Sequence, residues 1–338
     1  MGKMKQGIFF TFIAIVIMAV FVLVLTPQAD ISLQKDNQAI RTKIDAVDSY
    51  ISNLENTYLK NVLEATTYKA ILSLVFYVNS TGEFMANIDP AVSEIMINGT
   101  LNEVPIDSIN KKKIMENNTL TNWSDRITRA AKETFNVDTN ITIINVSVTQ
   151  TDPWRLTSRL SVNTTIKFNA AEWKRSRDII TAVGLEGLYD PYYLLNTPPG
   201  LYDKRVKKSD IPFDKWNISQ VRSTLKNATY IYWKNSKAPG FLMRFSNNTN
   251  SSACCGIESL IDPNILSQSQ AQGDQRESYV DYLFWSHAYN PVENCTQLYN
   301  ITNPATGGGI WDEFSYFKLD LDHVVMYNIT AKDAKRNC

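Results

Sequence analysis

Residues 8–25 read IFFTFIAIVIMAVFVLVL, an apolar run in which Thr11 is the one polar residue. As an α-helix this run is about 27 Å long, which is just enough to cross the hydrocarbon core of a bilayer. Lys3 and Lys5 precede the run, and the first acidic residue after it is Asp30. The positive-inside rule therefore predicts a cytoplasmic N-terminus and places residues 30–338 outside the cell.

Three kinds of processing fit this N-terminus. A cleaved secretory signal would be cut within residues 26–30, but Pro27 and the length of the apolar run disfavour it. An uncleaved signal anchor would keep the whole leader. A pilin-type signal would be cut between Gly7 and Ile8, so that the apolar helix stays in the mature protein. The short basic leader that ends in Gly directly before the apolar run favours this third kind.

A long amphipathic helix is predicted after the membrane exit. Pro27 interrupts helical hydrogen bonding there, and residues 29–79 contain no Gly or Pro. A heptad-like stripe of apolar residues predicts helix packing, and its members are Ile40, Ile44, Val47, Ile51, Leu54, Tyr58 and Val62. Residues 70–78 are apolar nearly all round, which indicates a helix end buried in a globular head. The stripe fits packing on the chain's own head as well as packing on neighbouring subunits.

The residues beyond 79 predict a head rich in β-strands. A helix is expected at 122–135, strands at 141–149 and 156–168 around a turn at 151–154, a strand at 178–183, a hairpin of 229–233 with 241–245, and a late strand at 317–327. The predicted fold class is therefore α+β: a long N-terminal hydrophobic and amphipathic helix followed by an antiparallel sheet or sandwich. The predicted domains are 1–7 (leader), 8–25 (transmembrane or filament-core helix), 26–78 (amphipathic helix) and 79–338 (extracellular head, either undivided or with a break near 200).

Asparagine is unusually frequent, with 31 residues in the chain. N-glycosylation sequons occur at Asn79, Asn98, Asn117, Asn122, Asn140, Asn145, Asn163, Asn217, Asn227, Asn247, Asn250, Asn294, Asn300 and Asn328. Chance would give roughly five sequons for this composition, and none lies before residue 79. The excess predicts a glycosylated exterior, as on archaeal and eukaryotic cell surfaces, and an oligosaccharyltransferase as a processing partner.

The cysteines are few and lie late in the chain, at Cys254, Cys255, Cys295 and Cys338. An even number outside the cell predicts two disulfides. Because a bond between adjacent cysteines would be strained, Cys254 and Cys255 are each expected to reach one of Cys295 and Cys338. The connectivity itself is left open by the sequence.

Composition and motifs predict neither an enzyme nor a nucleic-acid binder. Lys plus Arg and Asp plus Glu both number 34, so no sign of charge dominates. The G-x-S-x-G, H-E-x-x-H, P-loop and dinucleotide fingerprints are missing from the sequence, so neither a cofactor nor a metal is expected. A solvated strand face is expected for Asp320, Asp322 and His323. A solvated loop is expected for Lys204, Arg205, Lys207 and Lys208, and core packing for most of the seven Trp, including Trp154, Trp173, Trp233 and Trp285.

The leader, the apolar run and the helix that follows resemble an archaeal type IV pilin-like protein. The resemblance rests on Lys3, Lys5, Gly7 and residues 8–25. Bacterial pilins carry an acidic residue at the position of Phe12, so this departure favours the archaeal branch.

The resemblance implies a structural subunit of an extracellular filament. Such a subunit is inserted in the membrane as a precursor, is cut between Gly7 and Ile8 by a prepilin-type peptidase, and assembles with itself into a homopolymer at the cell surface. The alternative is a single-pass surface glycoprotein or adhesin that does not polymerise. A glycan or another cell-surface ligand would suit either protein.

Overall fold

The computed structural model describes residues 32–169, 171–197, 204–211, 216–234, 236–263, 266, 277–286, 298–301, 317–330 and 334–336. The described part is α+β with antiparallel sheets. It divides into two compact units. Unit 1 contains the described residues of 1–59, 124–142 and 162–177, and unit 2 those of 60–123, 143–161 and 178–338.

The helices are mostly short after the first two. They are α1 (Ser32–Asn53), a π-helical turn (Leu54–Tyr58), α2 (Leu59–Thr81), α3 (Ile88–Asn98), α4 (Ile106–Asn110), α5 (Leu120–Phe135), α6 (Pro191–Asn196), α7 (Ile218–Asn227), α8 (Phe241–Arg244), α9 (Asp281–Ser286) and α10 (Leu321–Met326). Among the residues that the structure describes, no helix combines the length and the apolar character needed to span a membrane. The apolar run 8–25 lies outside those residues.

In the part of the chain that the structure describes, the strands form four antiparallel sheets of two or three strands each. They are β1 (Thr100–Leu101), β2 (Val104–Pro105), β3 (Asp138–Asp152), β4 (Arg155–Phe168), β5 (Ala171–Gly184), β6 (Tyr230–Ile231), β7 (Glu258–Ser259), β8 (Leu298–Ile301), β9 (Lys318–Asp320) and β10 (Ala334–Arg336). The sheet orders are β1–β2, β3–β4–β5, β6–β7 and β10–β8–β9. The predicted helix at 122–135 and the predicted strands at 141–149, 156–168 and 178–183 are confirmed.

The predicted hairpin of 229–233 with 241–245 is wrong. Tyr230 pairs with Ser259 of β7 instead, and residues 241–244 are helical. Phe241 and Phe245 lie four positions apart, so a single helical turn brings their rings together with centroids 5.5 Å apart. A spacing of four residues places both rings on one side of a helix and also on one side of a strand, so this pattern alone does not distinguish the two. The pairing of Tyr230 and Ile231 with β7 takes the place of the predicted pairing with 241–245.

The predicted strand at 317–327 is also wrong in its second half. β9 ends at Asp320, whose side chain accepts a hydrogen bond from the backbone N–H of His323 at 3.1 Å. This is an N-cap, which favours the start of a helix over continued extension. Helix α10 begins at the next residue, Leu321.

The buried stripe of the first helical segments shifts by one position at the π-helical turn. Its buried members are Val47, Ile51, Leu54, Leu59 and Leu63. Tyr58 and Val62 were expected in the stripe, but both are half-buried, and Ile44 is exposed. A π-turn adds one residue to a helical turn, so the buried face resumes at Leu59 rather than Tyr58.

The apolar end of α2 is buried, as the sequence predicts. Ala70, Ile71, Leu74 and Val78 are all inaccessible to solvent within unit 2. Strand β4 alternates buried and exposed residues along nearly its whole length, which is the pattern of a sheet with one solvated face.

Gly256 stands where a methyl group has no room, because a Cβ there would lie 2.1 Å from the backbone oxygen of Ala238. That oxygen also accepts the N–H of Ser252, which ties the two segments together. We expect Gly256→Ala to lower the free energy of unfolding by about 3 kcal/mol, measured from the urea midpoint. At Gly184 a Cβ would meet nothing within 4 Å, so Gly184→Ala should stay within about 0.5 kcal/mol. Equal midpoints for the two variants would contradict the close packing.

Candidate functional site

The processing site predicted from the leader, Gly7 with Ile8, lies outside the described residues. The glycosylation sites can be examined, since thirteen of the fourteen sequon asparagines are described. Eleven are exposed: Asn79, Asn98, Asn117, Asn140, Asn145, Asn163, Asn217, Asn227, Asn247, Asn250 and Asn328. Asn122 and Asn300 are half-buried, and Asn294 lies outside the described residues.

Several sequon asparagines stand at turns and helix ends. Asn117, Asn247 and Asn328 adopt positive φ angles of 60°, 53° and 53°, a conformation that asparagine tolerates better than most residues. Asn217 caps helix α7 through its side-chain oxygen, which accepts the N–H of Ser219 at 2.8 Å. By contrast, Asn110, which lies in no sequon, is buried and donates to the carbonyl of Ser73. Eleven of the thirteen described sequon asparagines are thus accessible to solvent, whereas Asn110 is not.

The cysteine pairing differs from the expectation. The structure joins Cys254 to Cys255 and not to Cys295 or Cys338, both of which lie outside the described residues. Residues 253–255 form a turn that brings the two sulfur atoms together, and the Sγ atoms lie 3.6 and 3.4 Å from the carbonyl oxygen of Gln150. The expected bonds to Cys295 and Cys338 rested on the strain of a bond between neighbouring cysteines, and the turn at 253–255 accommodates that bond.

Unit 2 contains a buried ionic network centred on Arg244. Its Nη1 atom donates to Asp190 at 2.7 Å and to Asp281 at 2.8 Å, and all three side chains are 0% exposed. Nη2 donates to the carbonyl oxygen of Ile257. The guanidinium also lies over the ring of Tyr192, 4.9 Å from its centroid. Burial alone would lower the pKa of Arg244, but the two carboxylates outweigh it and raise that pKa, so the charge is kept.

The two carboxylates of this network are satisfied by further donors. Asp190 accepts from the hydroxyl of Tyr230 at 2.6 Å and from the backbone N–H of Tyr192 at 2.9 Å. Asp281 accepts from the hydroxyl and the backbone N–H of Ser259 at 2.8 and 3.2 Å. Such complete bonding is what allows two carboxylates to remain inside a protein.

Lys204 is buried beside this network, against the rings of Tyr193 and Tyr230. Its Nζ atom donates to the hydroxyl of Tyr193 at 2.8 Å and lies 4.3 and 4.8 Å from the ring centroids of Tyr193 and Tyr230. Burial lowers the pKa of Lys204 to about 7, although Asp281 and Asp190 partly oppose it. The expectation of a solvated loop is wrong for Lys204, which is buried, and it holds for Arg205, Lys207 and Lys208, which are exposed.

A second buried network is centred on His323. Its Nδ1 atom lies 2.7 Å from Asp320, and its Nε2 atom lies 3.6 Å from Glu258. Burial opposes the imidazolium, but the two carboxylates prevail and raise the pKa of His323 to about 10. Burial likewise opposes ionisation of Asp320, yet His323 and the Ser278 hydroxyl lower its pKa overall. The expected solvated strand face is therefore wrong for Asp320 and His323, which are buried. Asp322 is exposed, as expected, but it lies in helix α10 and not in a strand.

Strand β7 joins the two networks. Glu258 accepts from the hydroxyl of Tyr327 at 2.9 Å, and the next residue, Ser259, binds Asp281. Successive side chains of a strand point to opposite sides, so one two-residue strand supplies a member to each network. Because nearly all of these groups are buried, they hold distant segments together and do not face solvent.

A shallow concavity of about 480 Å³ lies in unit 1, between α5 and the start of β3. Its lining residues are Asp125, Thr128, Arg129, Lys132, Glu133, Asp138 and Thr139. Lys132 and Asp138 form an exposed ion pair at 2.7 Å across it, which is worth little in water. Among the residues that the structure describes, no group of three or more His, Cys, Asp or Glu is arranged to hold a metal ion.

Neither buried network is predicted from the sequence, although the spacing of Lys204 and Val206 is a pattern from which the burial of Lys204 could be inferred. Residues 204–207 alternate buried, exposed, buried and exposed, so Lys204 shares a side with Val206 and not with Arg205.

No protein-family model, curated protein or solved structure matches this chain.

Proposed function

We propose that this chain is the structural subunit of an archaeal cell-surface filament, related to the type IV pilins. The observation that carries the proposal is the layout of the first residues: a basic leader ending in Gly7, the apolar run 8–25, and helical residues from Ser32 to Thr81. A long hydrophobic and amphipathic helix that enters a β-rich head would follow from this layout.

Assembly would be driven by burial of the apolar run. In the precursor, residues 8–25 would lie in the membrane with the leader in the cytoplasm. After a prepilin-type peptidase cuts between Gly7 and Ile8, the run would pack against its copies in the filament axis, away from lipid and water. No cofactor takes part in such an assembly.

The head would form the outer surface of the filament. The exposure of eleven sequon asparagines supports a glycosylated exterior, to which an oligosaccharyltransferase would add the sugars. Because the formal net charge is zero, glycans would supply the solubility that a charge excess gives to other surfaces. The buried ionic networks would hold the head together on the outside of the cell.

The decisive experiment compares two leader variants in the native host. We expect Gly7→Val to retain the leader and to abolish filaments, because a branched side chain at the cut would block the peptidase. The matched control is Gly2→Val, which changes the leader away from the cut and should leave processing intact. Mass spectrometry of the N-terminus and electron microscopy of the cell surface give the readouts.

The N-terminal residue of the native protein also discriminates between a filament subunit and a single-pass surface glycoprotein. A chain that begins at Ile8 in purified filaments supports the proposal. A chain that keeps Met1 to Gly7 in the membrane fraction would overturn it in favour of a single-pass surface glycoprotein that does not polymerise.

A further inference from the structure

We infer that the Cys254–Cys255 disulfide is a thiol-exchange site, at which a small thiol becomes attached to Cys254 and not to Cys255. The two sulfur atoms belong to one bond but differ in environment. Cys254 is exposed, whereas Cys255 is 0% exposed. A thiolate can attack a disulfide sulfur only where it can reach it, so the accessible target is Cys254 Sγ.

The exchange balances with a thiol as the one co-reactant. The thiolate of the incoming molecule forms a new S–S bond with Cys254 Sγ, and the bond to Cys255 breaks. The electron pair of the broken bond goes to Cys255 Sγ, which takes a proton from water. The products are a mixed disulfide at Cys254 and a thiol at Cys255.

The surroundings of Cys255 favour retention of the mixed disulfide. Its Sγ atom lies 3.4 Å from the carbonyl oxygen of Gln150, which can accept an S–H hydrogen bond but repels a thiolate. The same carbonyl makes the Cys255 thiolate both a poor leaving group and a poor nucleophile, so exchange is slow in both directions. Once Cys255 is protonated it no longer attacks the mixed disulfide, which is therefore retained.

The turn is held by contacts that do not depend on the disulfide. The backbone N–H of Cys255 donates to the Ser252 hydroxyl at 3.2 Å, and its carbonyl oxygen accepts from the Gln150 side chain at 3.3 Å. The next residue, Gly256, packs on the backbone of Ala238. Cys255 therefore stays buried after the bond opens, and the exchange leaves the rest of unit 2 folded.

The direct test maps adducts on the full-length protein after incubation with reduced glutathione. Trypsin releases residues 245–276 as one peptide that contains Cys254 and Cys255 and no other cysteine. Before glutathione is added, we expect this peptide to lack two hydrogens and to be linked to no other peptide. Afterwards, fragmentation should place glutathione on Cys254. An adduct on Cys255, no adduct at all, or a link to the Cys295 or Cys338 peptide would overturn the inference.

A pair of matched variants tests the difference in accessibility. In Cys255→Ser the remaining thiol of Cys254 should react with iodoacetamide at least about 10-fold faster than the thiol of Cys255 in Cys254→Ser, because a buried thiol reacts only when the chain opens locally. The two rates should become equal in denaturant. Equal rates in the folded protein would show that Cys255 is as accessible as Cys254 and would overturn the inference.

Discussion

Replacement of Arg244 by methionine is expected to lower the free energy of unfolding of unit 2 by about 3–5 kcal/mol. Methionine fills most of the volume but carries no charge and donates no hydrogen bond. Asp190 and Asp281, both 0% exposed, would lose their shared cation, and the carbonyl of Ile257 would lose its donor. The loss of stability exceeds the lost attraction between Arg244 and the carboxylates. Two unpaired carboxylates would remain buried, and neither can regain water in the folded state.

The loss can be measured by pulse proteolysis of the full-length protein in increasing urea. Arg159→Met is the matched control, because Arg159 is exposed on β4 and its replacement should change stability by no more than about 0.5 kcal/mol. Adding Asp190→Asn and Asp281→Asn to Arg244→Met should recover part of the stability, since it removes the uncompensated charges. If the triple variant is as unstable as Arg244→Met alone, the loss of stability comes from lost packing and not from uncompensated charge.

The parts of the fold that sequence predicted are those with long, regular patterns. Strand β4 alternates over 14 residues, and β3 is joined to it by a turn at Pro153 and Trp154. The buried end of α2 is apolar on every side, so its burial does not depend on which face is chosen. In such segments the local pattern and the tertiary structure agree.

The shorter elements could not be predicted in this way. Strands of two or three residues and helices of four to six give too few positions to separate a period of 2 from one of 3.6. Residues 317–327 illustrate this, because the extended pattern is interrupted by the N-cap at Asp320. The buried network was out of reach for another reason: Arg244 meets Asp190 and Asp281 across 54 and 37 residues of chain. Each of these residues alone resembles an ordinary surface charge.

The second large effect is a change of the free energy of unfolding with pH. In the wild-type protein two buried groups contribute to it with opposite signs, so neither contribution is seen alone. Burial lowers the pKa of Lys204 from 10.5 to about 7, so between these values the unfolded chain binds a proton that the folded chain has released. This group makes the protein more stable as pH rises from 7 to 10.5, by up to about 1.4 kcal/mol per pH unit.

His323 changes the stability in the opposite direction. Its pKa rises from 6.5 to about 10 beside Asp320 and Glu258, so its stabilisation is complete below pH 6.5 and is lost as pH rises towards 10.

Because the two windows overlap, we expect the contributions of Lys204 and His323 nearly to cancel between pH 7 and 10. Lys204→Met should unmask the His323 term, so that the free energy of unfolding falls by about 1.4 kcal/mol per pH unit across this range relative to wild type. Lys207→Met is the matched control, since Lys207 is exposed and its loss should leave the pH profile unchanged. The profiles come from urea midpoints measured at intervals of pH. If Lys204→Met and wild type gave parallel profiles, Lys204 would have to keep its proton in the folded state, and the two buried networks could not oppose each other in this way.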